Sequence, residues 1–180
     1  MAYSIRWSKR AKKWTKVVDE PNSQLPAAPV EPPRGVLSTR VDEKGRVKLP
    51  AAIAQYLAEA GEKKVFVTTL DLSTVRIYPI SSWRQTEAML EQAGDDTEAR
   101  NDVAFVAYHY GADADVDPQS RVLVPTNLRR ELNLENEQVY LRCFKQRIDL
   151  IPGPAYERML AAAKTSLAEK VKALEKQGLR

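Results

Sequence analysis

The sequence predicts a β-rich α+β protein made from two copies of one module, with helices between the copies and after the second. Two observations carry this prediction. The segment Val41-Asp42-Glu43-Lys44-Gly45-Arg46-Val47-Lys48-Leu49-Pro50 returns 75 positions later as Val116-Asp117-Pro118-Gln119-Ser120-Arg121-Val122-Leu123-Val124-Pro125. The correspondence then continues: Ile53 answers Leu128, Leu57 answers Leu132, Val65-Phe66-Val67 answers Val139-Tyr140-Leu141, and Ile77-Tyr78-Pro79 answers Leu150-Ile151-Pro152. In each copy, residues alternating at strand period lead into the Asp-x-x-x-Arg segment, a second short strand follows, and a proline then opens an amphipathic helix at its first position.

Residues 1–34 read as a basic arm and a proline-rich linker, disordered by composition. Pro21, Pro26, Pro29, Pro32 and Pro33 stand among few large apolar groups, which favours an extended linker. Within the arm, Trp7, Ala11, Trp14 and Val18 fall at helical spacing among Arg6, Lys9, Arg10, Lys12, Lys13 and Lys16. Such a segment suits an acidic partner, nucleic acid or an anionic surface once folded.

The first repeat occupies residues 35–83. Its helix is expected from Pro50 to Ala60 with Gly61 as the stop. Lys64 to Leu70 and Thr74 to Tyr78 form a predicted hairpin around Asp71-Leu72-Ser73. Ser82 with Gln85 has capping-box spacing and predicts a helix to about Ala93, followed by a second over Thr97 to Tyr110. These connecting helices fill residues 84–110, the second repeat 111–154, and residues 155–180 one long C-terminal helix, with Leu160, Leu167 and Leu174 at heptad steps. That helix is expected to pack on its own domain.

Each module is too small to bury a generous core alone, so the two are expected to pack together or to oligomerise. Cys143 is the single cysteine, which excludes an internal disulfide, and no apolar run approaches the ~20 residues of a membrane span. With no signal-like apolar core at the N-terminus, a cytoplasmic protein is expected. The formal charge of +4 is unevenly placed. Residues 1–36 hold seven Lys/Arg against three Asp/Glu, leaving 21 of each in the rest of the chain. A polyanion would therefore meet a local patch on the body rather than a generally basic surface.

The candidate site is the Asp-x-x-x-Arg turn. Asp42 at the first position of a type I turn can bond the backbone ahead, and Gly45 at the fourth tolerates positive φ. Such a turn projects Lys44 and presents Arg46, while Arg46 and Lys48 share one strand face. In the second copy Ser120 takes the glycine's place and must either accept a strained conformation or alter the turn. At equivalent positions Arg40 meets Asp115, Lys44 meets Gln119, Arg46 meets Arg121 and Lys48 meets Leu123, so the first copy is basic where the second is acidic or neutral. Cations on a strand or turn can contact phosphates or base edges in a groove. DNA-binding residues are therefore expected at Arg40, Lys44, Arg46 and Lys48, with Arg121 as a weaker counterpart. Asp42, Gly45 and Asp117 support the turns. The Asp117–Arg121 pair reads chiefly as a turn stabiliser.

Other chemistry finds little support. Asp113-Ala114-Asp115-Val116-Asp117 begins like a calcium loop, but Pro118 stands where glycine is needed and Val124 where a bidentate Glu should be. His109 is the single histidine, and there is no glycine-rich phosphate loop. No catalytic residue, cofactor or metal is expected.

The two motifs, the second continuing as Pro125-x-x-Leu128-Arg129, resemble the tandem SpoVT/AbrB-like repeats of the bacterial MraZ family over about residues 35 to 160. Ile77-Tyr78-Pro79 followed by Trp83, and the approach from Phe105 to Ala112, support the resemblance. It implies swapped-hairpin barrel lobes, ring-shaped homo-oligomers, and nucleoid-associated regulation of the division and cell-wall gene cluster through repeated promoter elements in double-stranded DNA. The chain departs from the family pattern at Ser120, at Ala54 where the first helix usually offers Arg, in its extra N-terminal arm and in its long C-terminal helix. A second reading of the same fold is a protein-interaction scaffold or antitoxin-like partner, which would have no need of the basic asymmetry.

Overall fold

The computed structural model describes residues 4–7, 14–17, 30–92, 94 and 96–180. The arm predicted to be disordered contains two short strands, β1 (Ser4–Trp7) and β2 (Trp14–Val17), paired antiparallel with Trp7 opposite Trp14. This replaces the helical spacing expected there. Over so few residues the sequence serves a period of two as well as one of 3.6. Ala11, Val18 and most of the linker lie outside the described residues.

The body begins with β3 (Leu37–Arg40), β4 (Arg46–Lys48) and α1 (Ala51–Glu59), followed by the hairpin β5 (Lys64–Thr68) and β6 (Val75–Pro79). Helices α2 (Ile80–Leu90) and α3 (Thr97–Tyr110) lead to β7 (Ala112–Asp115), β8 (Arg121–Leu123) and α4 (Thr126–Glu131). The hairpin β9 (Gln138–Phe144) and β10 (Arg147–Pro152) is followed by α5 (Gly153–Lys164) and α6 (Leu167–Glu175). The fold is α+β, with a six-stranded antiparallel sheet in the order β3-β9-β10-β6-β5-β7 and a separate ribbon formed by β4 and β8.

The pairing crosses between the sequence repeats. Strand β3 of the first copy pairs with β9 of the second, Leu37 opposite Leu141, while β7 of the second pairs with β5 of the first, Ala112 opposite Val67. Equivalent positions also meet each other directly, Val47 opposite Val122 in the ribbon and Arg76 opposite Asp149 between β6 and β10. A local two-fold relation thus runs through these two pairs.

One face of the sheet packs against the ribbon, α1 and α4 around fully buried Val47, Leu49, Ile53, Val67, Ile77, Val122, Leu128, Leu141 and Ile148. On the other face, Phe66 and Tyr78, which alternate with those core residues, join Trp83, Leu90 and Ala107 of α2 and α3. Trp83 stacks on Phe66 at 4.2 Å between centroids, and Tyr156 of α5 stacks on Tyr140 at 4.0 Å. These are equivalent stacks, each four residues after the proline that closes a hairpin, so the structural repeat extends into α2 and α5.

The helix starts differ from expectation in a consistent way. Pro50, Pro79, Pro125 and Pro152 sit one position before their helices, with φ between −57° and −49° and ψ between 141° and 149°, rather than at the first helical position. Because Pro79 starts α2 early, Ser82 lies inside the helix and no side-chain cap forms. At the end of α1, Gly61 with φ of 73° lets the Glu62 N–H bond the Leu57 carbonyl at 2.9 Å, a Schellman stop.

The single C-terminal helix predicted from 155 is two helices. Thr165 is extended, with ψ of 123°, and Ser166 is left-handed, with φ of 54°. Thr and Ser are weak helix formers, and neither α5 nor α6 contains a buried residue, so packing does not override them. Leu160, Leu167 and Leu174 remain 40–51% exposed; the expected packing of this region on its own domain is limited to the Tyr156 end of α5.

Candidate nucleic-acid interface

Both Asp-x-x-x-Arg segments adopt one geometry. The Gly45 N–H bonds the Asp42 carbonyl at 2.8 Å, and one carboxylate oxygen of Asp42 accepts the N–H groups of Lys44 and Arg46 at 3.0 and 2.8 Å. The other accepts Nε of Arg46 at 2.9 Å and Nη2 at 2.8 Å. In the second copy Ser120 N–H bonds the Asp117 carbonyl at 2.8 Å, Asp117 accepts the N–H groups of Gln119 and Arg121, and Nε of Arg121 donates to it at 2.7 Å. Gly45 has φ of 77° and Ser120 has φ of 59°. Ser120 therefore accepts the left-handed conformation and leaves the turn unaltered.

These bonds stabilise the ionised carboxylates. The Arg46 backbone N–H, helped by its guanidinium, holds Asp42 below the usual carboxylate range against a smaller opposing effect of burial. For Asp117 partial burial is the largest influence and pushes upward, but the N–H and guanidinium of Arg121 together outweigh it, and its pKa is lowered.

The ribbon brings the two copies into one site. Strand β4 pairs with β8 so that Arg46 lies opposite Leu123 and Lys48 opposite Arg121. Val47 and Val122 point into the core, leaving Arg46, Lys48, Arg121 and Leu123 on the outer face. The ribbon is closed at both ends by backbone bonds between the copies, Leu49 N–H to the Ser120 carbonyl at 2.8 Å and Val124 N–H to the Gly45 carbonyl at 2.9 Å. Lys44 is exposed on the first turn. Arg40 ends β3, where its Nη1 donates to the Asn136 carbonyl at 3.0 Å.

The two arginines are not equivalent. Arg121 Nη2 also donates to Gln119 Oε1 at 3.0 Å, whereas the first copy has Lys44 at that place. A side chain that would repel the guanidinium stands where its counterpart accepts a hydrogen bond.

Sequence reasoning missed three members of this site. Leu123 is 51% exposed on the outer face, opposite Arg46; its place in the repeat, equivalent to that of Lys48, carried no sign that the two strands pair. The Thr39 hydroxyl donates to the Lys48 carbonyl at 3.0 Å and ties β3 to β4. Arg129, in the second helix, lies against Gly45 of the first turn, and its spacing after Pro125 was the one available signal.

The other candidates lie elsewhere. Asp113 and Asp115 sit on β7 opposite Phe66 and Lys64, and Asp117 is engaged by Arg121. Burial first, and then the charge of Asp149, pushes the Cys143 thiol up to about 11, so at neutral pH it is protonated. No helix among the described residues is long and apolar enough to cross a membrane.

A family model described as "MraZ protein, putative antitoxin-like" matches residues 111–177. The protein named transcriptional regulator MraZ in Acidobacterium capsulatum is 33% identical over 140 residues, covering 72% of this chain and 96% of that protein. Proteins of the same name in Koribacter versatilis and Halothermothrix orenii are 31% and 28% identical, covering 58% and 81% of this chain and 71% and 98% of their own lengths. With its two turns joined in one ribbon and this similarity over nearly the whole of a relative, the chain belongs to the MraZ family of transcriptional regulators.

Proposed function

We propose that the outer face of the β4–β8 ribbon reads double-stranded DNA, with Arg46 and Lys48 as its centre, Lys44 and Arg40 at its margins and Arg121 as a weaker contact. The observation that carries this reading is the convergence of both motifs on one short ribbon, with Arg46 held by Asp42. A two-stranded ribbon is one of the shapes that the major groove, about 12 Å wide, admits. Fixing the guanidinium beforehand reduces the ordering cost when it meets a phosphate or a guanine edge.

The face is small, two residues from each three-residue strand. A single copy would bind weakly, so the proposal includes a homo-oligomer, ring-like as in the family resemblance, whose repeated faces engage direct repeats by effective concentration. In the same reading the crossed pairing corresponds to AbrB-like repeats forming swapped-hairpin lobes, and the targets are promoters of the division and cell-wall cluster.

The test is Arg46→Ala measured by fluorescence anisotropy on the chain's native promoter. The Asp42 pair is about one-third exposed on both sides, so its loss should cost about 1 kcal/mol of stability or less. Loss of one bidentate base contact, about 1–3 kcal/mol, should weaken specific binding by roughly 5- to 150-fold. Unchanged affinity with a normal circular dichroism spectrum would remove the ribbon from the function. Salt-insensitive co-purification with a protein in place of DNA binding would favour a scaffold.

A further inference from the structure

We propose that Arg129 is a positioning residue for the first turn, and that the reciprocal turn lacks this brace, so that each chain presents one braced reading turn and one unbraced one. The inference rests on the DNA-reading role of Arg46.

The geometry begins at Gly45. It is buried, and a Cβ built on it would overlap Nη1, Cζ and Cδ of Arg129. The Arg129 side chain, from the second repeat's helix, therefore lies directly against the backbone of the first repeat's turn. Glycine is needed there for space as much as for its φ of 77°. Arg129 is held by a bond from Nη2 to Thr126 Oγ1 at 3.0 Å, while its Nε is buried with no hydrogen-bond partner. A cation packed against a turn with its Nε buried, at the cost of an unpaired N–H, restricts how that turn can move.

The reciprocal place is filled differently. Arg129 is the fourth residue after Pro125, and the fourth after Pro50 is Ala54; Gly45 corresponds to Ser120. Ala54 and Ser120 line one cavity of about 260 Å³ together with Leu57, Ala58, Val116 and Asp117. An arginine at 54 would meet the Ser120 side chain as Arg129 would meet a Cβ on Gly45. Glycine with arginine, and serine with alanine, are thus two matched ways of filling the same pair of positions. The basic turn has the first, and the turn whose arginine is taken up by Gln119 has the second.

The experiment compares Arg129→Ala, Arg129→Lys, Arg46→Ala and the double variant Arg46→Ala/Arg129→Ala for affinity to the native promoter. Circular dichroism serves as the fold control. Arg129→Ala should weaken binding by about three- to tenfold, less than Arg46→Ala, because it loosens the contact without deleting it. Arg129→Lys, which keeps the charge but loses the plane, should behave like Arg129→Ala. In the Arg46→Ala background the Arg129 effect on affinity should vanish while any effect on thermal stability persists. Full affinity in folded Arg129→Ala, or an undiminished loss in the Arg46→Ala background, overturns the proposal. If Arg46→Ala itself has no effect, the DNA-reading assignment fails instead. Should Arg129→Ala not fold, the pair Ala54→Arg and Ala54→Arg/Ser120→Gly decides. Ala54→Arg alone should lower thermal stability and the added Ser120→Gly should restore it; equal stability of the two overturns the matched filling on which the brace rests.

Discussion

Removing the carboxylate of Asp149 should be among the costlier single changes outside the apolar core. Asp149 is 2% exposed on β10, inside the six-stranded sheet, and accepts Nε of Arg147 at 2.7 Å and Nε and Nη2 of Arg142 at 3.1 Å. Breaking a buried charge cluster by deleting one partner costs about 3–5 kcal/mol, because the remaining charges are left uncompensated. Here the stranded partners differ: the Arg142 side chain is 37% exposed and can return to water, whereas that of Arg147 is 16% exposed. The lower end of the range applies, about 3 kcal/mol. For a chain of this size that is a fall in Tm of roughly 6–12 °C, since 1 kcal/mol corresponds to about 2–4 °C. Thermal unfolding of Asp149→Ala followed by circular dichroism measures it. Arg142→Ala should cost about 1 kcal/mol, because Asp149 keeps Arg147. A loss below about 2 °C in Asp149→Ala, or equal losses in both variants, would refute the reasoning.

Two further outcomes follow from charge. Asp42, Asp71 and Asp117 all lie below the ordinary carboxylate value of 3.8, so their folded forms bind protons less readily than the unfolded chain. Their contribution is fully present above that value and is lost as pH falls through the lower folded ones. The urea midpoint should be level in this respect from pH 7 to 5 and decline below about 4, and less steeply for Asp42→Asn/Asp117→Asn; an identical acid decline in that variant would sink the assignment. In the arm, six Lys/Arg lie between Arg6 and Lys16. If all engage phosphates, deleting residues 1–34 should flatten the slope of log affinity against log salt by up to about 5, while specificity survives. An unaltered slope takes the arm out of DNA binding.

Much of the site was legible because turns are written locally. Asp at the first position, Gly at the fourth and alternation through Arg46-Val47-Lys48 specify which side chains face out, and the structure follows them. The helix after Pro50 and the hairpin around Asp71 were legible for the same reason; Asp71 caps its loop by accepting the N–H groups of Ser73 and Thr74 at 2.9 and 3.0 Å. What could not be read was partnership. A repeat of 75 says which segments are alike, not that β3 would pair with β9 rather than with its own repeat's hairpin. The cluster at Asp149 and the placement of Arg129 on Gly45 depend on that crossing and left no local trace. The break at Thr165-Ser166 was missed for the opposite reason. Heptad-spaced leucines suggested one helix, but with no residue of α5 or α6 buried, weak local propensity decided the outcome.

The crossing also explains why the two halves can diverge in charge without losing the fold. Perfect repeats would place like side chains opposite each other at the local two-fold, which suits Val47 and Val122 but would set like charges face to face between β6 and β10. There the copies differ, with Arg76 opposite Asp149. Each of these charges also has a nearby partner, Arg76 on Asp71 at 2.7 Å and Asp149 on the two arginines. The same freedom appears at the strands that feed the ribbon, where Arg40 lies opposite Gln138 and Asp115 opposite Lys64. Backbone register is carried by apolar residues common to both copies, so the outward positions can be basic on one turn and acidic or neutral on the other. Since each copy's first strand completes its sheet only beside the other's hairpin, neither half buries its core alone. The outer face of β4 and β8 is therefore present only when both halves have folded, and its charge asymmetry can be altered at Gln119 or Leu123 at little cost to the fold.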